Sequence, residues 1–343
     1  GRGLTRPALP VELKEAAVGR KAFRAALVAA ALAALTAGCG GGRQTSPETA
    51  GPDASPSEPE LAVAVASFDL AVGDGQRFIA GVFLPDRKLI GFGAVQMEFY
   101  YLGEKDASGR PEPVAATTAT FLPVPGKEPR GSSDSPALIE DPEAAGVYET
   151  TLDLTRPGFW GVAVVAEVEG ETRRGTASFQ VLPDHQVPTV GDPAPRSHNL
   201  TLASDAPKAA IDSRAGTEGE IPDPHLHGTT VADALAQGRP AVVVVSTPVY
   251  CMSRFCGPIT DTVAELAETY QDRAAFIHIE VWRDFNAGQL DEAAAQWIQT
   301  PQGGNEPWVF LVGSDGKIAA RWDNVLDRAE LEQRLQALPV RGR

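Results

Sequence analysis

The sequence predicts an all-β sandwich over residues 61-182, followed by an α/β domain with a mixed central sheet over residues 183-343. Three observations carry this. Between residues 61 and 182, apolar residues alternate with polar ones in short runs, and no stretch keeps a helical period. After Val190 the pattern becomes strand, helix, strand, helix, hairpin, helix, which is an α/β order. Ala241 to Ser246 is a continuous run rich in valine, the composition of a strand buried on both faces.

In the first part, Val95, Met97 and Phe99 alternate with Gln96, Glu98 and Tyr100. That is the period of a half-buried strand. Residues 159–168, opened by Pro157-Gly158, and residues 176–182 make further strands. Clusters such as Gly73-Asp74-Gly75 and Pro85-Asp86 mark turns, and residues 129–144, rich in Ser, Pro and acids, read as a loop. Trp160 reads as strand packing, because β-rich runs favour buried aromatics. With Gly146-Val147-Tyr148 and Pro157-Gly158-Phe159-Trp160, the region resembles an immunoglobulin-like module of bacterial surface proteins. The resemblance implies a spacer or a docking surface, and no catalytic constellation lies in it.

Residues 20–60 give an address. Arg20, Lys21 and Arg24 precede an uncharged stretch that closes on Leu35-Thr36-Ala37-Gly38-Cys39. A positive segment followed by a short apolar core is the layout of a signal peptide. The core is shorter than the roughly 17–25 residues of a membrane-spanning helix. Its end resembles a bacterial lipobox, with Thr36 where Leu is commoner. That resemblance implies cleavage after Gly38, lipidation of Cys39 and an extracytoplasmic protein anchored to the cell membrane. Residues 1-38 are therefore read as signal peptide, residues 1–19 being an overlong start. Residues 39-60 are Gly-rich, then rich in Ser, Pro and acids, and are expected to form a disordered tether. Two acyl chains would hold such a tether where one anchors only marginally. The net charge of −15 disfavours nucleic-acid binding, which wants a basic face.

In the second part, Thr230 and Asp233 form a capping pattern and Gly238 can close that helix. Residues 258–271 are helical, with Ile259, Val263, Leu266 and Tyr270 on one face. A strand at 276–281 and a helix near 291–297 follow. Residues 308–312 and 317–322 form a hairpin around Ser314-Asp315-Gly316, and a last helix starts at Asp327.

Four motifs resemble the thioredoxin-like family. Val190-Gly191-Asp192-Pro193-Ala194-Pro195 is similar to the opening motif of membrane-anchored oxidoreductases of the TlpA/ResA type and of peroxiredoxins. Thr247-Pro248-Val249-Tyr250-Cys251 and Cys256-Gly257-Pro258 resemble the active-site turn. Glu306-Pro307-Trp308, followed by Asp315-Gly316-Lys317, resembles the cis-proline loop and its hairpin. The resemblance implies a thioredoxin-like fold, a redox pair in Cys251 and Cys256, and a substrate groove shaped by Pro307. Protein disulfides or dithiols would be the substrates, with no cofactor required.

The chain has three cysteines, too few for a disulfide framework, and the Cys251/Cys256 pair has Cys-x4-Cys spacing. On a continuous helix five residues advance about 7.5 Å, beyond the ~7 Å Cα limit of a disulfide. A bond therefore requires residues 252–255 to leave the helix, which would begin near Pro258. Cys256 then sits at a helix N-terminus, which favours its thiolate, and Cys251 lies in the loop. Which of them attacks stays open; Arg254 favours thiolate in either case. The preceding strand lacks the buried acid of thioredoxins, and Glu306 stands where the family carries a neutral residue. A carboxylate there disfavours a thiolate, yet could accept its proton or ligate a metal.

Two alternatives follow from the same residues. Two thiols with an imidazole suit Cu(I), and His225 and His227 would project together from an extended segment. Sco-type copper proteins resemble this arrangement, but with Cys-x3-Cys and a later histidine. The bland reading of His225 and His227 is solvated loop residues; His278 is expected in or beside the sheet, and His185 and His198 carry no pattern. The other alternative is a non-catalytic binding protein whose disulfide only staples the turn. The Pro-x3-Thr-x2-Cys arrangement of peroxidases is absent.

Overall fold

The computed structural model describes residues 60–339. The expected signal peptide, the Cys39 site and the tether, Glu60 apart, lie outside the described residues. Nine strands come first: β1 Ala62–Val65, β2 Gly73–Phe83, β3 Ile90–Gly91, β4 Ala94–Gly103, β5 Glu112–Pro123, β6 Ala137–Leu138, β7 Gly146–Leu154, β8 Gly158–Val168 and β9 Glu171–Val181. Seven of them make one antiparallel sheet in the order β1-β2-β7-β5-β4-β8-β9. The alternation at Val95, Met97 and Phe99 buries those three side chains inside it. The β8–β9 hairpin turns on Glu169 and Gly170, both at positive φ, as a tight two-residue turn requires. The remaining pair, β3 and β6, is a small ladder, so residues 129–144 are not a bare loop.

The expected immunoglobulin-like sandwich of two sheets is not what forms. The amides of Glu60 and Leu61 donate to the Arg174 carbonyl at 3.1 and 3.2 Å, so the sheet returns on itself and is nearly closed. The cause is strand length. β2, β5, β8 and β9 run eleven or twelve residues, and long twisted strands coil around one apolar face rather than splitting into two layers. Phe78 packs on Phe99 and Phe179 at 5.0 and 5.1 Å between ring centroids in that interior. Trp160 is fully buried there and donates its indole N–H to the Arg156 carbonyl at 3.1 Å.

The rest contains α1 Lys208–Ile211, short 3-10 turns at Ser213–Ala215 and Pro224–His227, α2 Val231–Ala236, β10 Ala241–Ser246, α3 Cys256–Tyr270, β11 Ala275–Glu280, β12 Trp282–Asp284, β13 Gln289–Leu290, α4 Glu292–Ile298, β14 Trp308–Val312, β15 Ile318–Asp323 and α5 Arg328–Ala337. The second sheet has four strands in the order β11-β10-β14-β15, parallel only between β10 and β11. β10 is buried along its whole length, and its alternate residues feed two cores. Val243 and Val245 join Ile277, Phe310 and Trp297 on one face; Val242 and Val244 join Leu311, Val263 and Leu331 on the other.

The expected fold class is corrected here too. The chain is mostly β, only α3 among the described helices exceeds ten residues, and a thioredoxin-like α/β fold is not evident. The expected helices form close to their expected bounds, but they are few and short beside the strands. Thr230, Asp291 and Asp327 each cap a helix with their side chains, yet those helices last 6, 7 and 10 residues. Much of residues 182–230, meanwhile, is irregular. Among the described residues no helix is long and apolar enough to cross a membrane.

The two sheets meet through polar and apolar contacts within one compact unit. Arg77 of β2 reaches Glu149 and Asp323, and the Phe68 amide donates to the Asp323 carboxylate at 2.7 Å. Ile79, Val124 and Val147 of the first half pack with Val325 and Phe255 of the second.

Candidate functional site

The strand-to-helix turn after β10 carries the cysteines. Residues 252–255 leave the helical path, and Arg254 takes φ +62°, a left-handed conformation that turns the chain back. The Cα atoms of Cys251 and Cys256 thereby stand 6.0 Å apart and the two are joined as a disulfide. α3 begins at Cys256, two residues earlier than proline placement predicts. Cys251 is 9% exposed, whereas Cys256 is fully enclosed. The Ser253 hydroxyl lies 3.2 Å from the Cys251 Sγ.

Glu306 and Pro307 close the site from the loop before β14. Their peptide bond is cis, and the buried Pro307 accepts the Asn324 amide at 2.8 Å. A Glu306 carboxylate oxygen and both sulfurs lie within 4.8 Å of one another. Burial raises the Glu306 carboxyl above its usual range, and the charge of Glu280 adds to this. Glu280 ends β11 directly beside Ser246 of β10. Burial raises it also, although the Ser213 amide at 2.9 Å and the Val281 amide at 3.0 Å hold its ionised form.

Glu280 is a buried acid that sequence reasoning did not single out. It comes from the neighbouring strand rather than from the one before the cysteines. A lone carboxylate closing the apolar run 275–280 was its signal, since buried acids are rare without a partner. Phe255 was missed as well. It leaves the cysteine turn to pack with Ile79 and Val147 of the first sheet. It also lines a groove of about 550 Å³ together with Phe83, Leu89, Ile139 and Pro142.

The histidines do not join the cysteines. His225 is exposed, with Nε2 3.3 Å from the Ala264 carbonyl. His227 is fully buried with Asp212 and His278 in a separate cluster. His185, which carried no pattern, meets Asp69 at 3.0 Å and Arg321 at 2.8 Å where the two sheets adjoin. Burial alone would raise the Asp212 carboxyl; His227, His278 and Arg214 together hold it well below the usual range. Burial pushes His227 toward its neutral form.

No family model and no curated protein matches this chain. A cavity of about 500 Å³ between the sheets, lined by Arg77, His185, Trp308 and Arg321 among others, includes no residue of the cysteine turn. Around Cys251, by contrast, apolar side chains face solvent. Val249, Met252 and Phe285 are 54%, 97% and 42% exposed, half of the six exposed large apolar residues among those described. Tyr250 stacks on Phe285 with ring centroids 4.0 Å apart. Clustered apolar exposure marks contact surface, whereas scattered exposure does not.

Proposed function

We propose that the chain is an extracytoplasmic, membrane-anchored thiol–disulfide oxidoreductase that works through Cys251 and Cys256. The observation that carries this is the disulfide at a loop-to-helix junction, rimmed by Val249, Met252 and Phe285. An apolar rim suits a polypeptide substrate. Anchoring rests on the lipobox-like run ending at Cys39.

In the oxidised state a substrate thiolate attacks the Cys251 sulfur, because Cys256 is enclosed. The intramolecular S–S bond breaks, a mixed disulfide forms, and the electron pair leaves on Cys256. The first-turn amides of α3 stabilise that thiolate. A second substrate thiolate then displaces Cys251, releasing oxidised substrate and a dithiol on this chain. Run backwards, the same steps reduce a substrate disulfide. Glu306, its carboxyl raised above the usual range by burial and lying beside both sulfurs, takes up or gives the proton that accompanies each thiolate.

The short loop supports a reactive bond over a staple. The cysteines are five positions apart, and closing so small a loop stabilises by only about 2 kcal/mol. Replacing both with serine is expected to lower unfolding stability by no more than that in urea titration. A larger loss would favour the staple.

A redox titration of the full chain, with and without Cu(I), tests the function. Reversible two-electron oxidation with reductase activity is expected. A pair inert to strong reductant would overturn it, and stoichiometric Cu(I) uptake without reductase activity would favour copper delivery. Glu306→Gln is expected to slow exchange by about a hundredfold, the lower end for a positioned acid–base group. Its stability effect has a definite sign. An unfolded glutamate ionises near pH 4.3, and the folded Glu306 only at higher pH. Wild-type stability therefore falls as pH rises through that window, and stays lowered above the folded value. Glu306→Gln should match wild type near pH 4 and exceed it near pH 8 in urea unfolding.

A further inference from the structure

We infer that Asp212, His227 and His278 form a buried binding site for a divalent transition metal of the Zn²⁺ class, separate from the cysteine pair and independent of the oxidoreductase reading. All three side chains are fully enclosed. They come from three elements: the start of a 3-10 turn, the end of another, and the middle of β11.

Hydrogen bonding leaves this cluster incomplete. His278 Nε2 lies 3.2 Å from the Ser246 carbonyl, which can only accept, so Nε2 carries the proton. In neutral His278 the other nitrogen, Nδ1, is then a bare lone pair facing Asp212 Oδ2 at 3.4 Å. His227 Nε2 stands 3.3 Å from the same oxygen. No hydrogen bond of acceptable geometry forms at His278 Nδ1 or at either nitrogen of His227. A buried imidazole with both nitrogens unpartnered is rare in proteins. A bare His278 Nδ1 turned toward a carboxylate oxygen, beside a buried His227 with neither nitrogen partnered, leaves room for a cation among the three.

The distances fit one. Zinc binds nitrogen and oxygen at about 2.0–2.1 Å, and a tetrahedron of such bonds has edges of about 3.3–3.4 Å. The two measured edges are 3.3 and 3.4 Å, and all three ligating atoms lie within 4.8 Å of one another. Two imidazoles and a carboxylate suit Zn²⁺, Fe²⁺ or Co²⁺ better than Cu(I) or Ca²⁺. Ser246 supplies the outer contact that orients a metal-binding histidine.

Charge agrees. Arg214 pairs with Asp212 at 2.8 Å, Asp223 at 2.8 Å and Asp261 at 2.9 Å. Three carboxylates against one guanidinium leave an excess that a divalent cation neutralises, although Asp223 and Asp261 are partly solvated. Arg214 occupies one lone pair of Asp212 Oδ2 and leaves another for the metal.

The test refolds the full chain, with the Cys251–Cys256 disulfide formed and Cys39 alkylated so that no thiolate is free, in the presence of Co²⁺. One equivalent should produce visible bands of a tetrahedral nitrogen–oxygen site, without thiolate charge-transfer absorption, and Zn²⁺ should abolish them. Asp212→Asn and His278→Gln should each weaken uptake by more than about a hundredfold, beyond what loss of an outer-shell partner costs. His225→Ala, at an exposed histidine, should leave uptake intact. If the variants fail to fold, the wild-type titration still decides. A folded wild type that takes up neither Co²⁺ nor Zn²⁺ would overturn the site, as would uptake that persists in Asp212→Asn and His278→Gln.

Discussion

Replacing Cys251 by serine is expected to reduce thiol–disulfide exchange to the uncatalysed background, whereas Cys256→Ser should stall as a mixed disulfide with its substrate. The asymmetry follows from exposure and position. Cys251 is 9% exposed beside the apolar rim, and Cys256 is fully enclosed at the first residue of α3. On the proposed reading Cys251 is the better placed to meet an incoming sulfur, and Cys256 to resolve the adduct. A thiolate leaves most readily where it is best stabilised, which here is the helix N-terminus. With a peptide disulfide as substrate, mass spectrometry of Cys256→Ser should show one adduct, on Cys251. An adduct on Cys256 in the Cys251→Ser chain would reverse the roles. Absence of any adduct, in a chain whose bond reduces freely, would end the enzyme reading.

What the sequence could reveal of this site depended on how locally each feature is encoded. The requirement that residues 252–255 leave the helix followed from spacing alone, and the turn at Arg254 meets it. The strand and hairpin positions followed from alternation and turn residues, as in β4 and in the β14–β15 pair. Closure of the first sheet did not, because it depends on Leu61 reaching Arg174, more than a hundred residues away. Periodicity says which side of a strand is apolar, not whether that side faces a second sheet or its own far edge. Helix positions were legible from caps and apolar spacing, but how little of residues 182–230 is regular was not. Glu280 showed only as a lone carboxylate closing an apolar run, and Asp212 was invisible because its partners come from other turns and strands. His227 was noticed for its neighbour His225, yet only the folded chain separates the two, leaving one in solvent and one against His278.

The β-domain, read from sequence as a spacer, is bound into the second half by one arginine whose loss should be costly. Arg77→Met is expected to destabilise the folded unit by about 3–5 kcal/mol, the usual cost of removing one partner from a buried ionic cluster. Arg77 donates to Glu149 Oε1 at 3.0 Å and Oε2 at 3.2 Å, to Asp323 Oδ1 at 2.7 Å, and to the carbonyls of Asp323 and Val325 at 3.1 and 2.8 Å. Burial works against its charge, but Asp323 and Glu149 outweigh that and hold it protonated. Without it two carboxylates face each other across the junction, and two buried carbonyls lose a donor. Lysine would keep the charge but not the fork, so Arg77→Lys should recover only part of the loss. Pairing Arg77→Met with Glu149→Gln should also recover part, because it removes one stranded charge. Val325 shares its apolar cluster with Phe255, so loosening this junction should also disturb the cysteine turn. Urea unfolding followed by tryptophan fluorescence, with exchange activity measured in parallel, checks both effects. Unchanged stability in Arg77→Met would mean that the apolar contacts and the remaining polar ones, such as Arg321 with Asp69, suffice to hold the two sheets together.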